Sequence, residues 1–345
     1  MNARPLALAA VLLWPIAALA QGFAGLGEMA EGFALPAPET RFTFPEDHGA
    51  HPDFRIEWWY ATANLTDADG TQYGIQWTLF RNALRPPERP EDQAWMGHAG
   101  VSSPQGHLYA ERLARGGLGH AGVTAQPFEA FIDEWRMTGP SLAEVRITAQ
   151  GSDFAYDLDF TADRPFVPQG LQGFSVKSTA GQASHYYSQP FYRVTGTLTL
   201  PTGPVEVSGQ GWLDREWSSQ PLAADQTGWD WISLHLDTGE KLMGYRLRDE
   251  TGGDYVTGTW IAPDGTPTPL SPDQIAMTPL ERNVVSGRDI PTAWQVDIPD
   301  QGAKITVRAI YPQSWMDTRI PYWEGPVTVK GSHNGIGYLE MSGYE

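Results

Sequence analysis

The sequence predicts an all-β protein, built from antiparallel hairpins that close into barrels or sandwiches and arranged as two related domains in tandem. Three observations carry this expectation. Apolar and aromatic runs are separated by short turn signals, not by helical periodicities, which points away from a βαβ sheet. The composition joins 14 Trp to 37 Gly and 28 Pro, a mixture suited to strands and tight turns. At 345 residues the chain has room for two ordinary domains, and two distant aromatic hairpins echo each other. In the first, Trp58-Trp59 runs through Leu65, Asp69 and Gly70 back to Gln76-Trp77; in the second, Trp229 and Trp231 run through Leu236, Asp237 and Gly239 back to Gly244-Tyr245.

The N-terminus, MNARPLALAAVLLWPIAALAQG, sets Arg4 before an apolar run and ends that run in Ala18-Leu19-Ala20. This is the pattern of a secretory signal peptide over residues 1–20, with cleavage expected after Ala20, and it is short for a membrane span. Residues 21–50 are rich in Gly, Ala, Pro and Glu without periodicity and read as an extended lead-in. Hairpins then follow one another: FRIEWWYATANL and TQYGIQWTLFRNAL around TDADG, LAEVRITA and FAYDLDF around QGSD, TGTLTL and PVEVSGQGWL around PTG. WDWISLHL and KLMGYRLR, TAWQVDI and AKITVRAI, and YWEGPVTV and IGYLEM repeat the arrangement. The two domains are expected over 51–210 and 211–345, with their junction near the block GQGWLDREWSSQPL.

Charge and composition exclude several functions. The formal charge of −18 repels nucleic acid and anionic lipid headgroups, so neither is an expected partner. With no cysteine there is no disulfide, thiolate metal site, thiol nucleophile or lipid-bearing N-terminal cysteine. No later run is long and apolar enough for stable membrane insertion of the mature chain. Gly-x-Ser-x-Gly, His-Glu-x-x-His and phosphate-loop signatures are absent. His98, His107 and His120 fall on separate strands or loops, and no metal is expected there.

Three stretches hold candidate site residues. In FRIEWWY, Glu57 stands in an aromatic run beside Trp58 and Trp59. It reads either as an arginine-paired structural carboxylate or as a group pointing into a cavity. In SHYYSQPF, His185 alternates with Tyr187 and Gln189 and shares their face on a strand. In GWLDREW, Trp212, Asp214 and Glu216 share one face, and Leu213, Arg215 and Trp217 the other. Facing a barrel mouth, Asp214 would be desolvated beside indoles and a second carboxylate, which raises its pKa and makes it a proton donor; paired with Arg215 or another cation it would be structural.

The blocks EWWY at 57–60, HYYSQP at 185–190 and GWLDREWSSQPL at 211–222 resemble the AttH and carotenoid 1,2-hydratase family, whose members are described as secreted hydrolases. The likeness runs from about Phe44 to Glu345. It implies a pair of tandem lipocalin-like β-barrels. In the carotenoid hydratase branch an aspartate in a Tyr-x-Asp motif acts with an upstream His-x-Trp motif to hydrate a terminal isoprenoid double bond. By that resemblance Asp214 matches the aspartate and His185 the histidine, with Trp212 in place of the tyrosine and Tyr187 in place of the tryptophan. The implied reaction needs no metal or organic cofactor. The implied ligand is an extended apolar or amphiphilic lipid or isoprenoid, with Glu57, Trp58, Trp59, Glu216 and Trp217 as further lining residues. The AttH branch goes with ABC-type export systems, so a periplasmic or secreted carrier serving such a permease is the alternative to a hydratase or hydrolase.

Overall fold

The computed structural model describes residues 31–86, 92–220, 222–223 and 225–344; the expected signal segment over 1–20 and residues 21–30 of the expected lead-in over 21–50 lie outside these. Among the described residues helix is limited to single 3-10 turns such as Glu46–His48 and Pro299–Gln301. The remaining order is strand, in two antiparallel sheets.

The first sheet opens with β1 (Ile56–Thr66), β2 (Gln72–Ala83), β3 (Gln93–Ser103) and β4 (Gly106–Arg115). It continues through β5 (Ala121–Thr124), β6 (Phe128–Ile132), β7 (Trp135–Ser141), β8 (Glu144–Gln150) and β9 (Ala155–Thr161). The short β10 (Val167–Pro168) and β11 (Phe174–Val176) precede the long β12 (Ala183–Leu200) and β13 (Gly203–Ser218). The second sheet holds β14 (Gln226–Leu236), β15 (Lys241–Asp249), β16 (Tyr255–Ile261), β17 (Pro267–Leu270) and β18 (Ala276–Val285). It ends with β19 (Arg288–Ile298), β20 (Ala303–Ala309), β21 (Trp315–Met316), β22 (Tyr322–Gly331) and β23 (Gly335–Ser342).

Spatial order is β4-β3-β2-β1-β13-β12-β9-β8-β7-β6-β5 in the first sheet and β17-β16-β15-β14-β23-β22-β20-β19-β18 in the second. Both follow one plan. Four strands meander from the first strand to an open edge, and the rest return from the other edge to pair the last strand with the first. The first sheet curls into a nearly closed barrel and the second into a half-barrel, a lipocalin-like pair. The echo between Trp58-Trp59 and Trp229/Trp231 has its cause here, since β1 and β14 hold the same place in the two sheets.

The division expected between residues 210 and 211 falls inside β13, which stays paired with β1 through Ser218. The chain passes to the second sheet only before Gln226. The reason is register: β1 offers partners to β13 as far as Ile56, opposite Ser218.

Strand alternation sorts the side chains into three apolar clusters. Inside the first barrel lie Trp59, Ala61 and Leu65 of β1 with Trp77, Leu213 and Trp217. Inside the second lie Ile232 and Leu234 of β14 with Trp294, Trp323 and Leu339. The third cluster lies between the barrels, where Ile56, Tyr60, Tyr186 and Trp212 meet Trp231, Tyr245 and Tyr338. Polar bonds cross the same seam: Asn64 Nδ2 donates to Gly337 O at 2.7 Å, Tyr311 Oη to Gln72 O at 2.6 Å, and Lys241 Nζ to Gln210 Oε1 at 3.1 Å. Gly74 permits the closest approach. A Cβ there would lie 2.7 Å from Pro326 Cδ and 2.9 Å from the Tyr338 hydroxyl.

Candidate active site between the barrels

The outward faces of β1, β2, β12 and β13 do not pack flush against the second barrel. They leave a partly open cavity of about 110 Å³, walled by Trp58, Phe80, Tyr186, Trp229, Trp231 and Tyr245. The interiors of the barrels are filled instead by large buried side chains, Trp59, Trp77 and Tyr192 in the first and Trp294 and Trp323 in the second. Asp214 therefore faces a space between the barrels and not a barrel mouth.

Asp214 is 2% exposed and accepts three hydrogen bonds, all from neutral groups. Tyr186 Oη donates to Oδ2 at 2.5 Å, while Ser188 Oγ at 2.5 Å and Trp212 Nε1 at 2.6 Å donate to Oδ1. Trp231 Nε1 in turn donates to Tyr186 Oη at 3.1 Å, tying the second barrel to the acid. Burial raises the Asp214 pKa to about 7 against the pull of these three donors, and the nearby Glu216 carboxylate adds to the rise. Near neutral pH the group is thus a poised carboxylic acid, the state suited to proton donation.

Three more carboxyl residues line the cavity, of which Glu216 and Glu340 raise the pKa of Asp214 or have theirs raised by it. Glu216, the next residue on the Asp214 face, receives the Lys177 ammonium at 2.7 Å and the Ser184 hydroxyl. The same ammonium lies over the Tyr245 ring at 4.2 Å and the Tyr186 ring at 4.9 Å. Glu340, across from Trp231 on β23, accepts from Trp229 Nε1 at 2.5 Å. Burial raises its pKa to about 7, opposed by that indole bond and assisted by Asp214 and Glu216. Asp214 sits across from Tyr60 on the first strand of its barrel as Glu340 does from Trp231. Each acid takes a proton donor from an indole.

Of the residues singled out in the sequence, Asp214, Glu216 and Trp58 line the cavity, and Trp212 holds Asp214 from beside it. His185, Tyr187, Trp59 and Trp217 do not. They lie on the opposite face of their strands, inside the first barrel. His185 packs among Phe42, Phe54 and Trp217, and burial drops its pKa to about 4, assisted by His51. Tyr187 Oη meets His48 Nδ1 at 2.7 Å, and Trp217 stacks on His51 with ring centres 3.9 Å apart. The cross-strand register explains the separation: His185 pairs with Trp217 and Tyr187 with Arg215, whereas Tyr186 and Ser188 pair with Glu216 and Asp214.

Glu57 borders the cavity, but its carboxylate is committed elsewhere. Arg81 Nε, directly across on β2, and Arg215 Nη2 at 3.1 Å both bind it, as does His51 N at 2.8 Å. Burial alone would raise its pKa; Arg81, the His51 hydrogen bond and Arg215 reverse this and hold it far below the usual carboxylate range. Arg215 also donates to Trp58 O at 2.9 Å and Gly49 O at 2.6 Å and lies 3.9 Å over the Trp59 ring. The arginine of the Asp-Arg-Glu run is therefore a structural clasp for Glu57, and Asp214 keeps only neutral donors. In the second barrel Asp230 plays the same part, with Arg246 directly across at 3.1 Å and Arg248 at 2.7 Å.

Sequence reasoning missed Tyr186 and Ser188, one step out of phase with His185 in the same block, and Lys177 and Glu340, which no motif marks. Once β12 and β13 are paired, the alternation of SHYYS against WLDRE singles out the first two.

These features define a class: an all-β protein of two fused barrels with a buried, acid-lined cavity at the seam. A family model described as AttH-like matches residues 35–344, and the chain belongs to that family. A crystal structure of a protein assigned as AttH from Nitrosomonas europaea is similar over 90% of this chain and 99% of its own, with 32% identity and a TM-score of 0.83. Kievitone hydratase from Nectria haematococca shares the fold over 92% of this chain and 97% of its own, at 16% identity and a TM-score of 0.67. CghA shares it over the same fractions at 12% identity, with a TM-score of 0.52. The comparison with proteins of curated function yields no match.

Proposed function

We propose that this chain is an exported protein whose inter-barrel cavity binds an extended apolar or amphiphilic molecule, and that Asp214 protonates a carbon–carbon double bond of that molecule so that water adds across it. The observation that carries the reading is the buried Asp214 carboxyl, held by three neutral donors on an aromatic-walled cavity. The proton passes from Asp214 to one alkene carbon and leaves a carbocation on the other. Neighbouring π faces, Trp58 and Tyr186 among them, stabilise that charge by about 0.5–2 kcal/mol each. Water then attacks the cation, and the proton it releases returns to Asp214 through solvent. A hydratase among proteins of the same fold supports the reading, and the N-terminal pattern over 1–20 supports export to the periplasm or beyond.

A second reading is a carrier that passes its ligand to an ABC-type export system. It is favoured by the largely aromatic lining, which binds without requiring chemistry. One experiment separates the two. Isoprenoid and lipid alkenes are incubated with the protein in ¹⁸O-labelled water and analysed by mass spectrometry. The hydratase reading expects labelled alcohol from the native protein and none from Asp214→Asn, with binding retained in both. Binding without any labelled alcohol would leave the carrier, and equal turnover by Asp214→Asn would remove Asp214 from the chemistry.

A further inference from the structure

Beside the first cavity lies a second, of about 230 Å³, in the same seam. It is walled by Leu171, Phe174 and Val176 of the first barrel and by Met243, Tyr255 and Leu270 of the second. Among the described residues only Tyr245 borders both spaces. Register on the second sheet puts it there. Glu340 pairs with Trp231, Trp231 with Tyr245 and Tyr245 with Thr257, one row across β23, β14, β15 and β16. Glu340 and Trp231 border the first cavity, and Thr257, one strand spacing of about 5 Å past Tyr245, borders the second. The row thus passes from one space to the other at Tyr245.

Tyr245 stands in the seam as a pillar. Its hydroxyl donates to Val176 O at 2.6 Å and lies 3.1 Å from Ser175 Oγ, both on β11 of the first barrel. Ser175 and Val176 border the second cavity. Lys177, the next residue, borders the first and holds its ammonium 4.2 Å over the Tyr245 ring. The partition is therefore one side chain thick, fixed at its tip to the opposite barrel. Size gives it a consequence. A cavity of about 150 Å³ holds one benzene ring, so the first cavity, at about 110 Å³, takes only one end of an extended ligand. The space behind Tyr245 would more than double it.

From this arrangement we infer that Tyr245 is a specificity-determining residue: it closes the cavity toward the second space and so fixes the length of apolar chain that the site can bury, the rest of a longer ligand staying at the mouth. The inference rests on the cavity being the ligand site proposed above, but it does not require turnover.

The test is a series of straight-chain primary alcohols from butanol to dodecanol, followed by tryptophan fluorescence because Trp58, Trp229 and Trp231 wall the cavity. In the native protein affinity should rise about three- to fourfold per added methylene, the worth of burying one, and level off once the cavity is filled. Tyr245→Ala joins the two spaces and should move that break to longer chains, so that dodecanol binds about tenfold more tightly than to the native protein, the worth of two further methylenes. Tyr245→Leu, too short to reach β11, should shift the break in the same direction. Thr257→Trp, which fills the second space, should leave the native series unchanged and return the break of Tyr245→Ala to its native position. A gain that continues through dodecanol in the native protein, or a break that stays in place in both Tyr245 variants, overturns the inference and leaves the cavity standing as a ligand site. A native series cut short by Thr257→Trp means that chains already pass Tyr245, and overturns it too. Binding of no alcohol removes the cavity as a site for apolar chains and the length limit with it.

Discussion

At the scale of single residues, the decisive contrast is between two buried carboxylates on neighbouring strands. Glu57 has two guanidinium partners and stays ionised, whereas Asp214 has two hydroxyls and an indole and titrates near neutral pH. Hydrogen bonds from neutral donors do not offset the loss of water around a full charge, so the proton is retained. Stability carries the consequence. The Asp214 pKa rises from 3.8 to about 7 on folding, so its favourable contribution is complete below about pH 4 and is lost as pH climbs through 7. At full ionisation the loss is on the order of 4 kcal/mol. Asp214→Asn has no such group. In urea unfolding at pH 5 and pH 8, the native protein should lose stability relative to the variant at the higher pH; parallel behaviour of the two would contradict the raised pKa.

At the scale of elements, the hairpins were legible because each strand pair is joined by a short turn of Gly, Asp or Pro. The facing of β12 was not. Two steps along β13, from Leu213 to Gly211, oppose three along β12, from Gln189 to Tyr192. This bulge changes the strand's phase. Before it Tyr187 points into the first barrel; after it Tyr192, Val194 and Leu198 do. Alternation read through Pro190-Phe191 as one unbroken strand cannot show which face meets Asp214. Trp58 and Trp59 were grouped for a related reason. β1 is covered on both faces, by the barrel core and by the other barrel, so its pattern is a continuous apolar run and the two indoles cannot be sorted from sequence. Register with β13 sorts them, setting Trp58 opposite Glu216 and Trp59 opposite Arg215.

At the scale of the whole molecule, the duplicated plan creates the site. Each sheet alone has an outward face of aromatic side chains that would be costly to expose; docking the two faces buries them, takes the acids beside them out of water and leaves the cavity at the seam. No strand propensity predicts that contact, because it depends on close approach at a few points, Gly74 foremost. A larger side chain there meets Pro326 and Tyr338 of the other barrel, while its extended backbone tolerates substitution. Overpacking of this kind costs about 1–3 kcal/mol. Gly74→Val should widen the seam, weaken binding of cavity probes and enlarge the radius of gyration by small-angle scattering, with the strand content by circular dichroism unchanged. Native affinity in this variant would show that the barrels do not need the Gly74 contact to shape the cavity.

The central claim is that Asp214 is a neutral acid at the seam, and its carboxyl carbon reports this directly. In ¹³C NMR of protein labelled at aspartate, the resonance missing from Asp214→Asn should titrate in the native protein with a midpoint near 7. A midpoint near the ordinary aspartate value of 3.8 would make Asp214 a carboxylate at neutral pH and contradict the account.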